Sequence, residues 1–250
     1  MTQDQSQRTR PRSADEVQAH RGASAIAPEN TIAAFRAACD EGARWVELDV
    51  ALMADGVPVV IHDPTLDRTT TAKGSVGNIR SADLRTIDAG GWFDARFAGE
   101  RLPTLAETVA AAGELGIGLN VEIKQHAHHR SLTDLTQAVH RELEKRNPNT
   151  RIMISSFDPA CLSGMKAIDP SYDVAMLWDQ VPPNWREALA AIPARAVHLN
   201  YRALSFGFLE AAKKEGIIVR AWTCNDPEMM APFWAWGLGG VISDNPKLFL

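Results

Sequence analysis

Long apolar runs are missing from this 250-residue chain. No stretch approaches the ~18 apolar residues of a membrane helix, so stable membrane insertion is not expected. Cysteine is scarce: Cys39, Cys161 and Cys224 are far apart and form neither a CxxC pair nor a Cys/His zinc pattern. A disulfide scaffold is thereby excluded, and a reducing, cytoplasmic location is expected. Basic excess is also absent, since 26 Lys and Arg face 31 Asp and Glu, for a net charge of -5. A surface for nucleic acid or anionic membrane would need the opposite balance. There is no GxSxG elbow and no Walker loop, which removes the usual serine-hydrolase and nucleotide-phosphate signatures. The opening MTQDQSQRTRPRSADE lacks an apolar segment, so no secretory signal is expected there. Residues 1–15, with Arg8, Arg10 and Arg12, read as a flexible tail.

What is present is alternation. Short β-branched runs are separated by Ala-rich stretches of helical period, the pattern of parallel strands joined by helices. Nine candidate strands end in VQAHRG, WVELDV, PVVIHD, LNVEIK, IMISSF, DVAMLW, AVHLNY, VRAWT and GVISD. Between the second and third lies Asp55-Gly56, a favoured hairpin turn, with too few residues for a parallel crossover. PVVIHD must therefore run antiparallel to its predecessor, which leaves eight strands for a ring. The expected fold is α/β: a TIM-like (β/α)8 barrel with an antiparallel hairpin and a small inserted cap after the second strand.

Helices are expected over 30–41, 105–115, 132–146, 160–168, 185–192, 208–215 and 228–236, with a Thr104/Glu107 capping box and stops at Gly42, Gly216 and Gly237. Residues 63–102 are rich in Gly, Thr and charge and show no sustained period, which marks the inserted cap. Residues 16–250 are expected to form a single domain.

Polar side chains at the C-terminal ends of barrel strands share one mouth. The first strand brings His20 and Arg21 there, the second Glu47 and Asp49, the fourth run Glu122 and Lys124, and the hairpin arm His62. The i, i+2 spacing of Glu47 with Asp49, and of Glu122 with Lys124, puts each pair on one strand face. Three carboxylates without cysteine suit a hard divalent cation, Mg²⁺ or Ca²⁺, with Mn²⁺ as a further option. Arg21 and Lys124 would neutralise a bound phosphate, and His20 and His62 would divide acid and base duties. Trp222, at a late strand end, is a candidate apolar wall for substrate. Each residue alone has a structural reading, such as an ion pair or a satisfied histidine; their convergence on one mouth favours chemistry. Ser155, Ser156, His198 and Asn200 read as backbone-satisfying groups near the mouth, Asp244 as a loop-stabilising carboxylate, and His126, His128 and His129 as a solvated connector.

These segments resemble the glycerophosphodiester phosphodiesterase family over nearly the whole chain after the tail. HRGASAIAPENTIAAF is similar to the family's opening motif, VELDV and VVIHDPTLDRTT to its metal strand and second-histidine segment, and FAGERLPTLAE, NVEIK, SSFD, AWTCND and VISDNP follow in order. The resemblance implies metal binding by Glu47, Asp49 and Glu122, acid/base roles for His20 and His62, and phosphate contacts from Arg21 and Lys124. It further implies a small glycerophosphodiester substrate, cut to sn-glycerol 3-phosphate and an alcohol, by a monomer or homodimer. Two departures, Cys224 after Trp-Thr and Gly239 near the last strand, touch none of these groups. Rival expectations are a lysophospholipase D- or phosphoinositide phospholipase C-like enzyme, and a non-catalytic phosphate-ester binding protein.

Overall fold

A computed structural model describes residues 8–126, 130–192 and 194–250. Its strands are β1 (Val17–His20), β2 (Trp45–Leu52), β3 (Pro58–Val60), β4 (Gly118–Ile123), β5 (Ile152–Ser156), β6 (Asp173–Trp178), β7 (Ala196–Asn200), β8 (Ile218–Trp222) and β9 (Leu238–Ser243). Eight of them pair in parallel in the order β1-β9-β8-β7-β6-β5-β4-β2, and a β1–β2 pairing closes the ring. β2 and β4 are buried along their entire lengths, as strands enclosed on both faces must be. The ninth strand, β3, is antiparallel to β2, as the Asp55-Gly56 turn requires.

The described helices are α1 (Ile32–Asp40), α2 (Leu105–Leu115), α3 (Leu132–Leu143), α4 (Pro159–Ile168), α5 (Trp185–Ala190), α6 (Phe206–Lys214) and α7 (Pro227–Ala235). After β9 the chain makes a 3-10 turn at Pro246–Leu248. The Thr104/Glu107 capping box starts α2 as expected, and Gly42, Gly216 and Gly237 follow their helices with left-handed φ of 95, 71 and 106°. Several expected boundaries shift by one to three residues, and two of the starts have a local reason. α1 starts at Ile32 because the Thr31 side chain caps it and Asn30 is in the left-handed region. α6 starts at Phe206 because the Ser205 hydroxyl caps it.

The hairpin explains how the insert is held. Val50, Leu52 and Val60 join the main core, while Ala51, Met53, Val59 and Ile61 turn to a separate cluster with Leu66, Leu84, Ile87 and Leu102. The two-residue period of a strand thus lets one ribbon serve two cores. The insert itself contains 3-10 turns at Val76–Asn78, Ser81–Thr86 and Ala95–Phe97. Asp55, at the hairpin tip, ties the insert by accepting hydrogen bonds from the Ser81 amide at 2.9 Å and hydroxyl at 2.8 Å.

Within the barrel, Trp45, Met153, Ala175 and Ala196 form an apolar plug at the N-terminal end. Gly118 makes room for it, since a β-carbon there would lie 2.9 Å from the Trp45 ring. Part of the expected tail is also docked at this end. Arg8 pairs with Glu16 and lies 4.7 Å over the Trp234 ring, while Asp15 pairs with Arg151 at 2.7 Å. Residues 8–15 therefore differ from a flexible tail, because a guanidinium stacked on an aromatic face and paired with a carboxylate is anchored on two sides. Residues 1–7 of the expected tail lie outside the described residues.

Candidate active site

One edge of β2 is shared by two other strands. β1 ascends beside it until His20, which is opposite Glu47. β3 descends along the same edge, from Pro58 opposite Leu52 to Val60 opposite Val50, with the Ile61 amide bonded to the Asp49 carbonyl. The two strands thus approach each other end to end and deliver His20 and His62 to one place. On the other edge, β4 aligns Glu122 opposite Asp49. The hairpin is therefore what adds the second histidine to a barrel mouth.

Glu47, Asp49 and Glu122 offer carboxylate oxygens that all lie within 4.8 Å of one another. Lys124 Nζ is 2.5 Å from Glu122 Oε1 and 3.1 Å from Asp49 Oδ1. Arg21 Nε is 3.2 Å from Asp49 Oδ2, and the Arg21 amide donates to Glu47 Oε2 at 3.0 Å. Three carboxylates against two cations leave a net negative charge. Burial and the neighbouring carboxylates accordingly push Glu47 well above its usual range and Glu122 up to about 7. Asp49, although burial works against it, is held below the normal carboxylate range by Lys124 and Arg21. Its Oδ1 accepts no well-directed hydrogen bond among the described residues. A crowded, buried, all-oxygen set of three carboxylates fits a hard divalent cation.

Each histidine is backed by a carboxylate. His20 Nδ1 is 2.6 Å from Asp244 Oδ1, and His62 Nδ1 is 2.7 Å from Asp63 Oδ1. Because an ionised carboxylate only accepts, both Nδ1 atoms carry the proton and both Nε2 atoms are left for chemistry. His62 has its proton affinity lowered, chiefly by burial. Asp244 is held at about 2, despite burial, by hydrogen bonds from His20, Asn225 and Ser24.

Several residues of the site escape a reading of strand ends. Asp244 is not just a loop stabiliser; it orients His20. Asn30 donates to Asp49 Oδ2 at 2.8 Å and accepts from the Asp49 amide at 3.2 Å. Its φ of 59° and the 56° of Arg21 are left-handed, a conformation asparagine tolerates better than most residues. Gly22 follows because a β-carbon there would sit 2.6 Å from the Ala34 backbone. Arg68, in the insert, bridges Asp63 and Glu29 with four hydrogen bonds of 2.7 to 3.0 Å, and Glu29 in turn accepts from Arg21 at 2.8 Å. The PENT and HDPTLDR segments were visible as sequence, but their pairing across the mouth was not. His126 also departs from a solvated connector: it is partly buried, with Nε2 3.0 Å from the His62 carbonyl oxygen. His128 and His129 lie outside the described residues.

A cavity of about 150 Å³ is lined by His20, Arg21, Glu47, His62, Glu122, Lys124 and Trp222, with Asp49 buried behind them. The Trp222 ring packs edge-on against Phe157 at 5.6 Å, and its Nε1 donates to the His198 carbonyl at 2.9 Å. Ser155 and His198, expected near the mouth, line this cavity and are almost fully buried. A larger groove of about 560 Å³ runs outside the barrel among Arg36, Glu100, Arg101 and Glu107, away from the histidines and the carboxylate cluster. The described residues contain no helix long and apolar enough to cross a membrane.

Known proteins are similar to this chain in sequence and in fold. The family model for the glycerophosphoryl diester phosphodiesterase family matches residues 20–248. A glycerophosphodiester phosphodiesterase of Caldanaerobacter subterraneus subsp. tengcongensis is 36% identical, over 94% of this chain and 96% of that protein. The structure of an Oleispira antarctica phosphodiesterase in complex with the product sn-glycerol-3-phosphate superposes with a TM-score of 0.89, at 32% identity over 93% of this chain and 94% of that one. A glycerophosphodiester phosphodiesterase from Agrobacterium tumefaciens gives 0.76 at 30% identity, over 94% and 98%. With the matched segment running from the first site histidine past the last barrel strand, the chain belongs to the glycerophosphoryl diester phosphodiesterase family and is an enzyme of that class.

Proposed function

We propose that the chain hydrolyses small glycerophosphodiesters, such as glycerophosphocholine or glycerophosphoethanolamine, to sn-glycerol 3-phosphate and an alcohol. The observation that carries this reading is the pair of carboxylate-backed histidines, His20 and His62, beside the buried Glu47, Asp49 and Glu122. The three carboxylates would hold Mg²⁺ or Ca²⁺, with Mn²⁺ as a further option, and the bound ion would supply Lewis-acid polarisation of a phosphoryl oxygen. Arg21 and Lys124 neutralise phosphate charge, and Trp222 with Phe157 forms an apolar wall beside the phosphate position.

His62 is the base, because burial favours its neutral form, and His20 is the acid, because Asp244 holds its Nδ1 and leaves Nε2 for the leaving alcohol. The attacking hydroxyl, from water or from the glycerol moiety, gives its proton to His62 Nε2 as the new oxygen–phosphorus bond forms. The bond to the leaving alcohol breaks, and His20 Nε2 returns a proton to that oxygen. Should the glycerol hydroxyl attack, the same pair opens the resulting cyclic phosphate with water.

Residues 16–250 act as one barrel unit, with 63–102 as a cap over its mouth. All the named groups come from one chain, which supports a working monomer, alone or within a homodimer. The three unpaired cysteines support a cytoplasmic setting.

The test is to strip metal, restore Mg²⁺, Ca²⁺ and Mn²⁺ separately, and measure sn-glycerol 3-phosphate release from a panel of diesters. No release with any metal would sink the reading. A second reading, a lysophospholipid phosphodiesterase, draws on the 42% exposure of Phe157 at the cavity. Faster turnover of lysophosphatidylcholine than of glycerophosphocholine would favour it.

A further inference from the structure

Besides the carboxylates and histidines, the cavity has a second polar patch, here called the floor, for which the proton transfers have no use. Asn120 on β4, Ser155 on β5 and His198 on β7 line it and are 0, 1 and 0% exposed. Each presents an atom without a hydrogen-bond partner among the described residues: Asn120 Oδ1, Ser155 Oγ and His198 Nε2. Buried polar atoms are rarely left so, because desolvation is then uncompensated.

The chemistry of these atoms can be assigned. Asn120 Nδ2 donates to Gln18 Oε1 at 2.8 Å and faces His198 Nδ1 at 3.4 Å. The amide nitrogen is thus committed, and Asn120 Oδ1 remains as a pure acceptor. His198 is kept neutral by complete burial, with the Arg220 charge adding to the effect. Since its Nδ1 accepts from Asn120, its single ring proton is on Nε2, which is a donor. Ser155 both donates and accepts. Leu177, Ile242 and Trp222 supply apolar walls around these three groups.

We propose that this floor is a recognition subsite for the free hydroxyls of the glycerol moiety. A vicinal diol offers two groups that each donate and accept, on a short carbon chain that suits apolar walls. Asn120 Oδ1 accepts from one hydroxyl, His198 Nε2 donates to a hydroxyl oxygen, and Ser155 Oγ completes the set. The subsite makes the glycerol half, rather than the leaving alcohol, the part of the substrate that is read. This inference rests on the glycerophosphodiester reading given above.

The experiment is calorimetric binding, with Mg²⁺ present, of sn-glycerol 3-phosphate and of ethyl phosphate, which has the same head charge and no hydroxyl. The wild type is expected to prefer the glycerol ester by tenfold or more, and Ser155→Ala to cut that preference several-fold while ethyl phosphate affinity is unchanged. His198→Phe should do the same if its melting temperature shows it folded; Ser155→Ala, the smaller change, decides the matter otherwise. Equal wild-type binding of the two ligands, or an equal loss for both in Ser155→Ala, would overturn the subsite and leave the floor as a place for structural water. Hydrolysis of glycerophosphocholine by the same preparation separates the cases: if it persists, the enzymatic reading stands without the subsite, and if it is absent, the parent reading has failed.

Discussion

Asp244, on the loop after β9, accepts the Nδ1 proton of His20 at the end of β1 across 2.6 Å, although 224 positions separate them in the chain. Barrel closure makes the contact, since β9 pairs with β1. The carboxylate fixes the imidazole tautomer and so the direction in which Nε2 points. It is itself fixed by Asn225 Nδ2 at 2.8 Å and Ser24 Oγ at 3.0 Å.

Asp244→Asn should therefore lower kcat by about 10²-fold or more, because an amide can offer Nδ1 a donor and turn the ring's proton the wrong way. His20→Ala should cost at least as much, and the double variant little more than His20→Ala alone. Steady-state kinetics on the two single variants and the double variant check this. Additive losses would show that Asp244 acts other than through His20.

The same carboxylate gives an acid limb to stability. Its folded value, about 2, is below the ordinary 3.8, so between those values the unfolded chain binds more protons. The stabilisation is present above about pH 4 and is lost as pH falls through about 2, and it amounts to at most about 2 kcal/mol because the side chain is part-exposed. Thermal melts between pH 5 and 2 should fall less steeply for Asp244→Asn than for the wild type. Parallel curves would remove Asp244 from the acid response.

Local periodicity made much of this molecule legible. The i, i+2 pairs Glu47/Asp49 and Glu122/Lys124 share strand faces, and Asp55-Gly56 reverses the chain, because each property is set within a few residues. What was hidden depends on distant chain or on depth. Asp244 meets His20 only through ring closure, and Arg68 is in a segment with no period to read. His198 and Ser155 are at strand positions like those of the mouth residues, yet they line the cavity almost fully buried. Arg8 and Asp15 looked like tail because their partners, Trp234 and Arg151, are also far away in sequence.

Arg68 ties the two halves of the site, bonding Asp63 behind His62 and Glu29 behind Arg21. Its planar fork makes four hydrogen bonds to two carboxylates, one more than the three donors of an ammonium can supply. Both Arg68→Met and Arg68→Lys should reduce kcat/KM by about tenfold or more, with KM raised through Arg21 and kcat lowered through His62. Full rescue by lysine would show that positive charge alone is needed there.

Carboxylate crowding at Glu47 and Glu122 separates a metal site from a structural ion-pair cluster. Without a cation, burial and like charge raise both groups. Glu122 then stabilises the fold most when protonated, and the cluster destabilises it as pH rises from the unfolded value of 4.5 towards about 7. A divalent ion reverses this by favouring the ionised forms, so its binding near pH 6 should release protons, seen as a buffer-dependent heat in calorimetry. Glu47→Gln removes one of the crowded charges. Its metal-free melting temperature should equal or exceed that of the wild type, while the increase on adding Mg²⁺ or Ca²⁺ should largely disappear. If Glu47→Gln instead melts several degrees lower in chelator, Glu47 serves the fold through Arg21, and the carboxylates are an ion-pair network rather than a cradle for a cation.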